Sequence, residues 1–145
     1  DAGAEQAILR LARNEAGGSR SRPEGTVSQA DIFSARKAVL DIHMAPAVEE
    51  YIIQLIVGTR EPDHYDSELA GWLEDGASPR ATIALDRCAR ANAWIAGRDY
   101  VSPDDVQAVA LDCLRHRLIV SFEAEAAGVS SDQIIGRLIE RIPVA

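Results

Sequence analysis

The sequence predicts an all-α protein, a small helical bundle of five or six helices with at most a short strand. Aromatic residues make up only 5% of the 145 residues, whereas alanine and leucine are abundant, and this composition favours packed helices over a sheet. Apolar residues also recur at three- and four-residue spacing along most of the chain. The length suits one domain with a hydrophobic core, or one domain plus an extra helix.

The first element is an amphipathic helix predicted for residues 2–16, which Gly17 and Gly18 end. Its thin apolar stripe consists of Ala4, Ala7, Ile8, Leu11 and Ala12. A helix this short is marginal by itself, and residues 17–25 have the glycine, serine and proline content of a connector. Because Asp1 is not an initiator residue, we interpret this helix as a remnant of a preceding unit in a longer chain.

Two further helices are predicted before residue 61. Ser28 and Asp31 resemble a capping box and open a helix to about residue 40. Its expected buried stripe is Ile32, Ala35, Val39 and Ile42. Pro46 opens the next helix, to about residue 60, with Val48, Tyr51, Ile52, Leu55 and Ile56 facing inward. Residues 61–75 then form a long acidic connection with one short helical turn at about residues 67–73.

The best-defined helix is predicted for residues 79–96. Ser78 suits the N-cap because its hydroxyl can accept a bond from a backbone N–H, and Pro79 suits the first helical position, where no N–H is needed. Gly97 is typical of the residue that follows a helix. The expected buried residues of this helix are Ile83, Ala84, Cys88, Ala91 and Ile95.

The remaining segments repeat the same signals. Ser102 and Pro103 start a helix to about residue 114, with Val106, Val109, Ala110 and Cys113 facing inward. Residues 118–122 are either an extended segment or a buried turn. Ser131 is predicted to cap a last helix at residues 134–142, which Pro143 ends.

The net charge of −8 restricts the classes of partner. Residues 61–145 carry fifteen acidic side chains against eight basic ones, and an acidic body argues against general binding to nucleic acid. No apolar run reaches the roughly 18–20 residues of a membrane span, and the N-terminus has no signal-peptide pattern. We therefore expect a cytoplasmic protein that binds neither nucleic acid nor membrane.

The usual patterns of catalytic and metal sites are missing from the sequence. The single lysine, Lys37, has no adjacent glycines, so the chain lacks the phosphate loop of P-loop hydrolases. No apolar run ends in Asp-Glu, and the three histidines stand outside metal-ligand spacings. Cys88 and Cys113 are expected to be reduced core residues with inert thiols. The chain alone is therefore not expected to hydrolyse ATP by P-loop chemistry.

Arg80 falls in the first turn of the helix that Ser78 caps. The helix dipole disfavours a cation there by roughly 0.3–1 kcal/mol, while a free helix N-terminus with a guanidinium can bind an anion such as phosphate. For this position alone, a solvated arginine without a ligand is the simpler interpretation. Farther along the helix, Arg90 is expected to pair with Asp86 at a spacing of four residues.

Several motifs, in the same order, resemble the C-terminal part of the MoxR family of AAA+ ATPases. They are Gly-Ala-Ser-Pro-Arg-Ala at residues 76–81, Gly-Arg-Asp-Tyr-Val-Ser-Pro-Asp-Asp-Val at 97–106 and Leu-Arg-His-Arg-Leu at 114–118. The likeness also includes Thr59-Arg60 and Phe-Glu-Ala-Glu at residues 122–125. It spans essentially the whole chain.

The resemblance implies a P-loop core domain followed by a small helical lid. Residues 1–27 then correspond to the last helix of the core plus a linker, and residues 28–145 to the lid. Arg80 matches the sensor-2 arginine, which reaches the γ-phosphate of ATP, so the resemblance implies a catalytic role for Arg80 and nucleotide contacts for Ser78 and Arg80. The implied ligand is ATP, with Mg²⁺ held by the core domain.

The family also implies partners for the parent protein. These are the upstream core domain, further copies in a ring, and proteins with von Willebrand A domains, and the activity is chaperone-like maturation of a partner protein coupled to ATP hydrolysis. The alternative is a stand-alone helical interaction module that binds a protein through the acidic residues 61–75. A phosphate loop and an Asp-Glu motif upstream of Asp1 would favour the lid over the module.

Overall fold

The computed structural model describes residues 1–18 and 25–144, and within these ranges it is mainly helical. Eight α-helices lie in the described ranges: α1 (Ala2–Ala16), α2 (Gln29–Asp41), α3 (Pro46–Arg60), α4 (Ser67–Trp72), α5 (Pro79–Ile95), α6 (Pro103–Leu114), α7 (Phe122–Ala126) and α8 (Ser131–Arg141). A short 3₁₀ helix, Pro62–His64, precedes α4, and two strands, β1 (Leu73–Asp75) and β2 (Ile119–Val120), form a small sheet. The predicted all-α fold is confirmed, with two short helices, α4 and α7, beyond the five or six long ones.

The chain divides into two compact units, Asp1–Phe33 and Ser34–Ala145. In the first unit, the Asp1 side chain caps α1 by accepting a bond from the Gly3 N–H, and no residue of α1 is buried. Its larger apolar side chains, Ile8, Leu9 and Leu11, are all more than half exposed. The predicted connector begins after α1, and its residues 19–24 lie outside the described ranges.

The core of the second unit is formed by α3, α5, α6 and α8. All five residues predicted to face inward on α3 are buried: Val48, Tyr51, Ile52, Leu55 and Ile56. α6 contributes Val106, Ala110 and Cys113, as predicted, and also Leu114, while α8 contributes Ile134, Ile135 and Leu138. Burial of these apolar side chains is the main favourable term in the folding of the unit.

The buried face of α5 differs from the predicted one. Its buried residues are Ala81, Leu85, Ala89 and Ala93, whereas Ile83 is 52% exposed, Ile95 is 78% exposed and Cys88 is exposed. Small side chains on the inner face allow α5 to pack closely against α3 and α6, so shape outweighs the larger apolar area of the two isoleucines. On α2, the predicted core residue Ile32 is also exposed.

Serine residues start α2 and α6 as expected from the sequence, whereas the serine that caps α8 differs from the predicted one. The Ser28 hydroxyl accepts the Asp31 N–H at 3.1 Å, and Ser102 forms a complete capping box with Asp105. The last helix is capped by Ser130, not by Ser131 as predicted, because only Ser130 has a glutamine, Gln133, three residues later to complete a capping box.

The cap of α6 also contains a buried ion pair. The Asp105 side chain is 2% exposed and accepts a bond from Arg98 Nη1 at 2.6 Å, together with bonds from Ser102 and Asn92. The Arg98 guanidinium is the main reason that the pKa of Asp105 lies far below its ordinary value. This ion pair fixes the turn between α5 and α6.

The acidic connection 61–75 is ordered by contacts with α8 and β2. Asp66 caps α4 and accepts bonds from Arg137 Nε at 2.8 Å and Arg141 Nε at 3.1 Å. The hydrogen bond from Arg137 is the main cause that lowers the pKa of Asp66 to about 2. β1 then pairs antiparallel with β2, with Leu73 opposite Val120, so the extended alternative is correct for residues 119–120. These contacts position the segment that leads into α5.

Candidate functional site

The Ser-Pro-Arg motif lies where expected, at the exposed start of α5. Ser78 occupies the N-cap position with extended backbone, and Pro79 is the first helical residue. The Ser78 hydroxyl makes no bond to the helix, which differs from the cap that the sequence predicted. Its oxygen is therefore not engaged by the first turn of α5.

Arg80 is exposed and has no hydrogen bond or salt bridge within the part of the chain that the structure describes. The first turn of α5 contains no acidic residue, so the guanidinium adds to the partial positive charge of the helix start. In a chain of net charge −8, the fold leaves this cation without a local counterion. The arrangement can accept an anion from outside the chain.

The backbone just before this motif is fastened to the end of α3. Thr59 Oγ1 accepts the Ala77 N–H at 2.9 Å, and Arg60 Nε donates to the Ala77 carbonyl at 2.7 Å. A Cβ on Gly76 would lie 2.3 Å from the Thr59 carbonyl oxygen, so only glycine permits this approach. We call these four residues, Thr59, Arg60, Gly76 and Ala77, the Ala77 junction.

The sequence did not reveal the Ala77 junction. Its members are seventeen and eighteen residues apart, and helical periodicity carries no information at that separation. The available signals were Thr59-Arg60, which belongs to the family resemblance, and a glycine placed directly before a buried alanine and an N-cap serine.

The other arginines of α5 differ in how the fold uses them. Arg90 pairs with Asp86 at 2.8 Å, as predicted, and also donates to the Ile42 carbonyl. Arg87 is exposed and, like Arg80, makes no ion pair with a described residue. Because Arg87 lies two turns along the helix, about 10 Å from Arg80, it offers a matched control for the residue at the helix start.

An apolar groove of about 500 Å³ runs beside the exposed side of α5. Its walls include Leu40 and Met44 from the segment around the end of α2, Ile52 and Ile53 from α3, and Ile83 from α5. Ile83 was predicted to be a core residue, and its exposure is what opens one wall of this groove.

The two cysteines do not form a catalytic site. Burial and a hydrogen bond with Cys88 raise the pKa of Cys113 to about 12, so Cys113 stays a neutral, unreactive thiol. Cys88 is exposed instead of buried. Among the described residues, no group of three or more histidine, cysteine, aspartate or glutamate side chains is arranged to hold a metal ion.

Two of the six carboxylates in the acidic connection are paired with arginines of α8. Asp66 is committed to Arg137 and Arg141, and Glu68 pairs with Arg137 at 2.7 Å. The guanidinium of Arg137 also lies over the Trp72 ring, 5.0 Å from its centroid. Asp66 and Glu68 therefore hold the connection against α8. No helix in the described ranges is long and apolar enough to cross a membrane.

Comparison with known proteins shows the family to which the chain belongs. Residues 73–138 match the AAA lid domain model. The chain is 32% identical over 117 residues to the chaperone MoxR1 of Mycobacterium tuberculosis, covering 80% of this chain and 31% of that protein. It is 33% identical over 109 residues to protein MoxR of Methylorubrum extorquens, covering 70% and 32% of the two chains.

A solved structure agrees with these relatives. The crystal structure of a candidate ATPase from Cytophaga hutchinsonii superposes with a TM-score of 0.84 at 34% identity, covering 100% of this chain and 44% of that one. The chain thus spans about a third of the length of the curated relatives named above. Its fold, its motifs and these likenesses identify it as a lid domain of the MoxR family of AAA+ ATPases.

Proposed function

We propose that this lid supplies Arg80 as the sensor-2 arginine of a MoxR-like AAA+ ATPase and contacts the γ-phosphate of ATP bound to an upstream core domain. The observation that carries the proposal is the exposed, unpaired guanidinium of Arg80 in the first turn of α5. Ser78, whose hydroxyl is not used for capping, is the second residue proposed to contact nucleotide.

The residues of this chain suit one part of a nucleotide site and not the whole of it. Arg80 binds and neutralises phosphate charge, whereas the chain has no phosphate loop. Mg²⁺ and the other phosphate contacts belong to the core domain of the parent protein. In this proposal, residues 1–27 are the last helix of that core and its linker, which agrees with the exposed apolar residues of α1.

The physical consequence is a lid whose position depends on the nucleotide. A contact between Arg80 and the γ-phosphate stabilises only the lid arrangement in which the two groups meet, so loss of the phosphate removes that preference. In a ring of subunits, this change passes to neighbouring subunits and drives chaperone-like maturation of a partner, with von Willebrand A domain proteins as the candidate partners. The proposed location is the cytoplasm.

The test is ATP turnover with matched arginine variants. This chain alone should be inactive, and mixing it with the separately produced core domain should stimulate turnover. Arg80→Ala should lower that stimulation by roughly a hundredfold, as expected for loss of a charge that stabilises the transition state. Arg87→Ala, which removes the other exposed arginine of α5, should leave it unchanged.

Two outcomes would contradict the sensor role. Equal turnover with Arg80 and with Arg80→Ala would show that the guanidinium does not act on the nucleotide. Equal losses for Arg80→Ala and Arg87→Ala would indicate a general effect of surface charge instead of a phosphate contact. Full-length protein carrying the same two variants provides the check if the separate domains do not associate.

A further inference from the structure

The start of α5 is held differently from the starts of α6 and α8. Those two helices begin with capping boxes, in which Ser102 and Ser130 bond to their own first turns. At α5, Ser78 makes no such bond, and the backbone before it is held by α3 through the Ala77 junction. The hydrogen bonds that fix this helix start therefore do not involve the side chains of Ser78 and Arg80.

Thr59 is the inner contact of the Ala77 junction. Its hydroxyl donates to the Ile56 carbonyl at 2.7 Å, which fixes the orientation of the oxygen that accepts the Ala77 N–H at 2.9 Å. The residue is 1% exposed. Because a buried N–H without a partner is unfavourable, the bond from Ala77 to Thr59 resists opening.

Arg60 and Gly76 complete the junction from the outside. Arg60 donates to the carbonyl of the same residue, Ala77, so both polar backbone groups of Ala77 are bound to adjacent side chains of α3. The absence of a side chain at Gly76 lets the two segments meet. The backbone three residues before Arg80 can therefore leave α3 only if two hydrogen bonds break.

We propose that Thr59 and Arg60 are positioning residues that make Arg80 move as one body with α3. This inference rests on the sensor role proposed above. When phosphate binds Arg80, the force acts on the first turn of α5, which follows directly after the Ala77 junction. The junction transmits the displacement to α3 and the packed core, so the whole lid follows the arginine instead of its first turn alone.

The experiment measures kcat and KM for ATP in the full-length parent protein. The variants are Thr59→Val, Thr59→Ser, Arg80→Ala and the double variant Thr59→Val with Arg80→Ala. We expect Thr59→Val to lower kcat by roughly tenfold, since small misplacement of a positioned group costs up to about a hundredfold. Thr59→Ser keeps the hydroxyl and should restore most of the parental kcat.

The double variant separates positioning from a general structural role. If Thr59 acts through Arg80, the double variant should turn over ATP no more slowly than Arg80→Ala alone. Arg60→Gln provides a second test without risk to the core, because Arg60 is exposed. It should show a smaller loss of kcat in the same direction, again absent when Arg80 is already alanine.

A matched control reports on stability alone. Asp66→Asn weakens the contact between α4 and α8, away from the Ala77 junction, and should lower the melting temperature while kcat well below that temperature stays parental. Parental kcat in both Thr59→Val and Arg60→Gln, or losses that add to that of Arg80→Ala, would overturn the positioning role and leave the sensor role intact. Parental kcat in Arg80→Ala would overturn the sensor role itself.

Discussion

One side of α5 is buried in the core, and the other side is exposed. The inner side carries Ala81, Leu85, Ala89 and Ala93, all fully buried, and the helix is followed by Arg98, which is paired with the buried Asp105. The outer side carries Arg80, Ile83 and Arg87, all exposed. Arg80 lies in the first turn of α5 and Arg98 lies just beyond its last turn, yet of these two only Arg98 has an acidic partner among the described residues.

This difference shows that the abundance of acidic residues does not by itself neutralise a cation. The chain has an excess of eight negative charges, and two of its carboxylates hold elements together: Asp105 joins α5 and α6, and Asp66 joins α4 and α8. The first turn of α5 contains no acidic residue, and Arg80 makes no ion pair with a described residue. An arginine that structural contacts do not explain is the better candidate for a ligand contact.

The largest effect is expected where a charge enters the inner side of α5. Ala89→Asp should destabilise the second unit by at least about 3 kcal/mol, because a carboxylate would be buried without a partner. Cys88→Asp, one residue away on the exposed side, should change stability by less than about 1 kcal/mol. Urea denaturation of both variants checks this, and unfolding of Cys88→Asp would show that the two sides of α5 are assigned wrongly.

The second largest effect on stability is expected at the ion pair between Arg98 and Asp105. Asp105→Asn removes the charge that Arg98 binds and weakens the capping box, and we expect a loss of about 2–3 kcal/mol in the free energy of unfolding. The adjacent Asp104 is exposed, and Asp104→Asn should cost no more than about 0.5 kcal/mol. Similar denaturation midpoints for the two variants would contradict a structural role for the Arg98–Asp105 pair.

Acid titration should reveal the contribution of Asp66, which pairs with Arg137 and Arg141, to stability. Asp66 has a pKa of about 2 in the folded protein against an ordinary value of 3.8, so between these values the unfolded chain binds the proton and the folded chain does not. The stabilisation from Asp66 is thus complete above about pH 4 and is lost as the pH falls towards 2. The difference in the free energy of unfolding between the parent and Asp66→Asn, measured by urea denaturation, should therefore shrink over this range.

The smallest expected effect is at Arg80, and it is a gain in stability instead of a loss. Arg80→Ala removes a cation from the first turn of α5, so the free energy of unfolding should rise by roughly 0.3–1 kcal/mol. Thermal melting at low salt, where dipole interactions are least screened, measures this change. A clear destabilisation would show that Arg80 serves the fold and would weaken the sensor assignment.

The sequence predicted the buried face correctly for α3, where one apolar stripe had no competitor. α3 has a single apolar stripe, and all five of its predicted core residues are buried. α5 has two apolar stripes, and the larger side chains of Ile83 and Ile95 favoured the wrong one. Which stripe is buried depends on how closely α3 and α6 approach α5. The side-chain sizes on α3 and α6 decide this distance, and the local periodicity of α5 carries no information about them.

The candidate site could be predicted only in part for the same reason. Helix-start chemistry was sufficient to place Ser78 and Pro79, and the family resemblance singled out Arg80. The capping bond expected from Ser78 is absent, and the segment is held by the Ala77 junction, which is formed by residues distant in sequence. Long-range contacts of this kind follow from tertiary packing and have no local signature.

The Ala77 junction also provides an intrinsic reporter of its own integrity. The Ala77 amide lies outside every helix and strand, yet its hydrogen is bonded to a buried hydroxyl, so it should exchange with deuterium only when the segment separates from α3. Amides in comparable irregular segments normally exchange fast. The exchange rate of this one amide, read from a spectrum of the isotope-labelled protein, would therefore measure how often the start of α5 separates from α3.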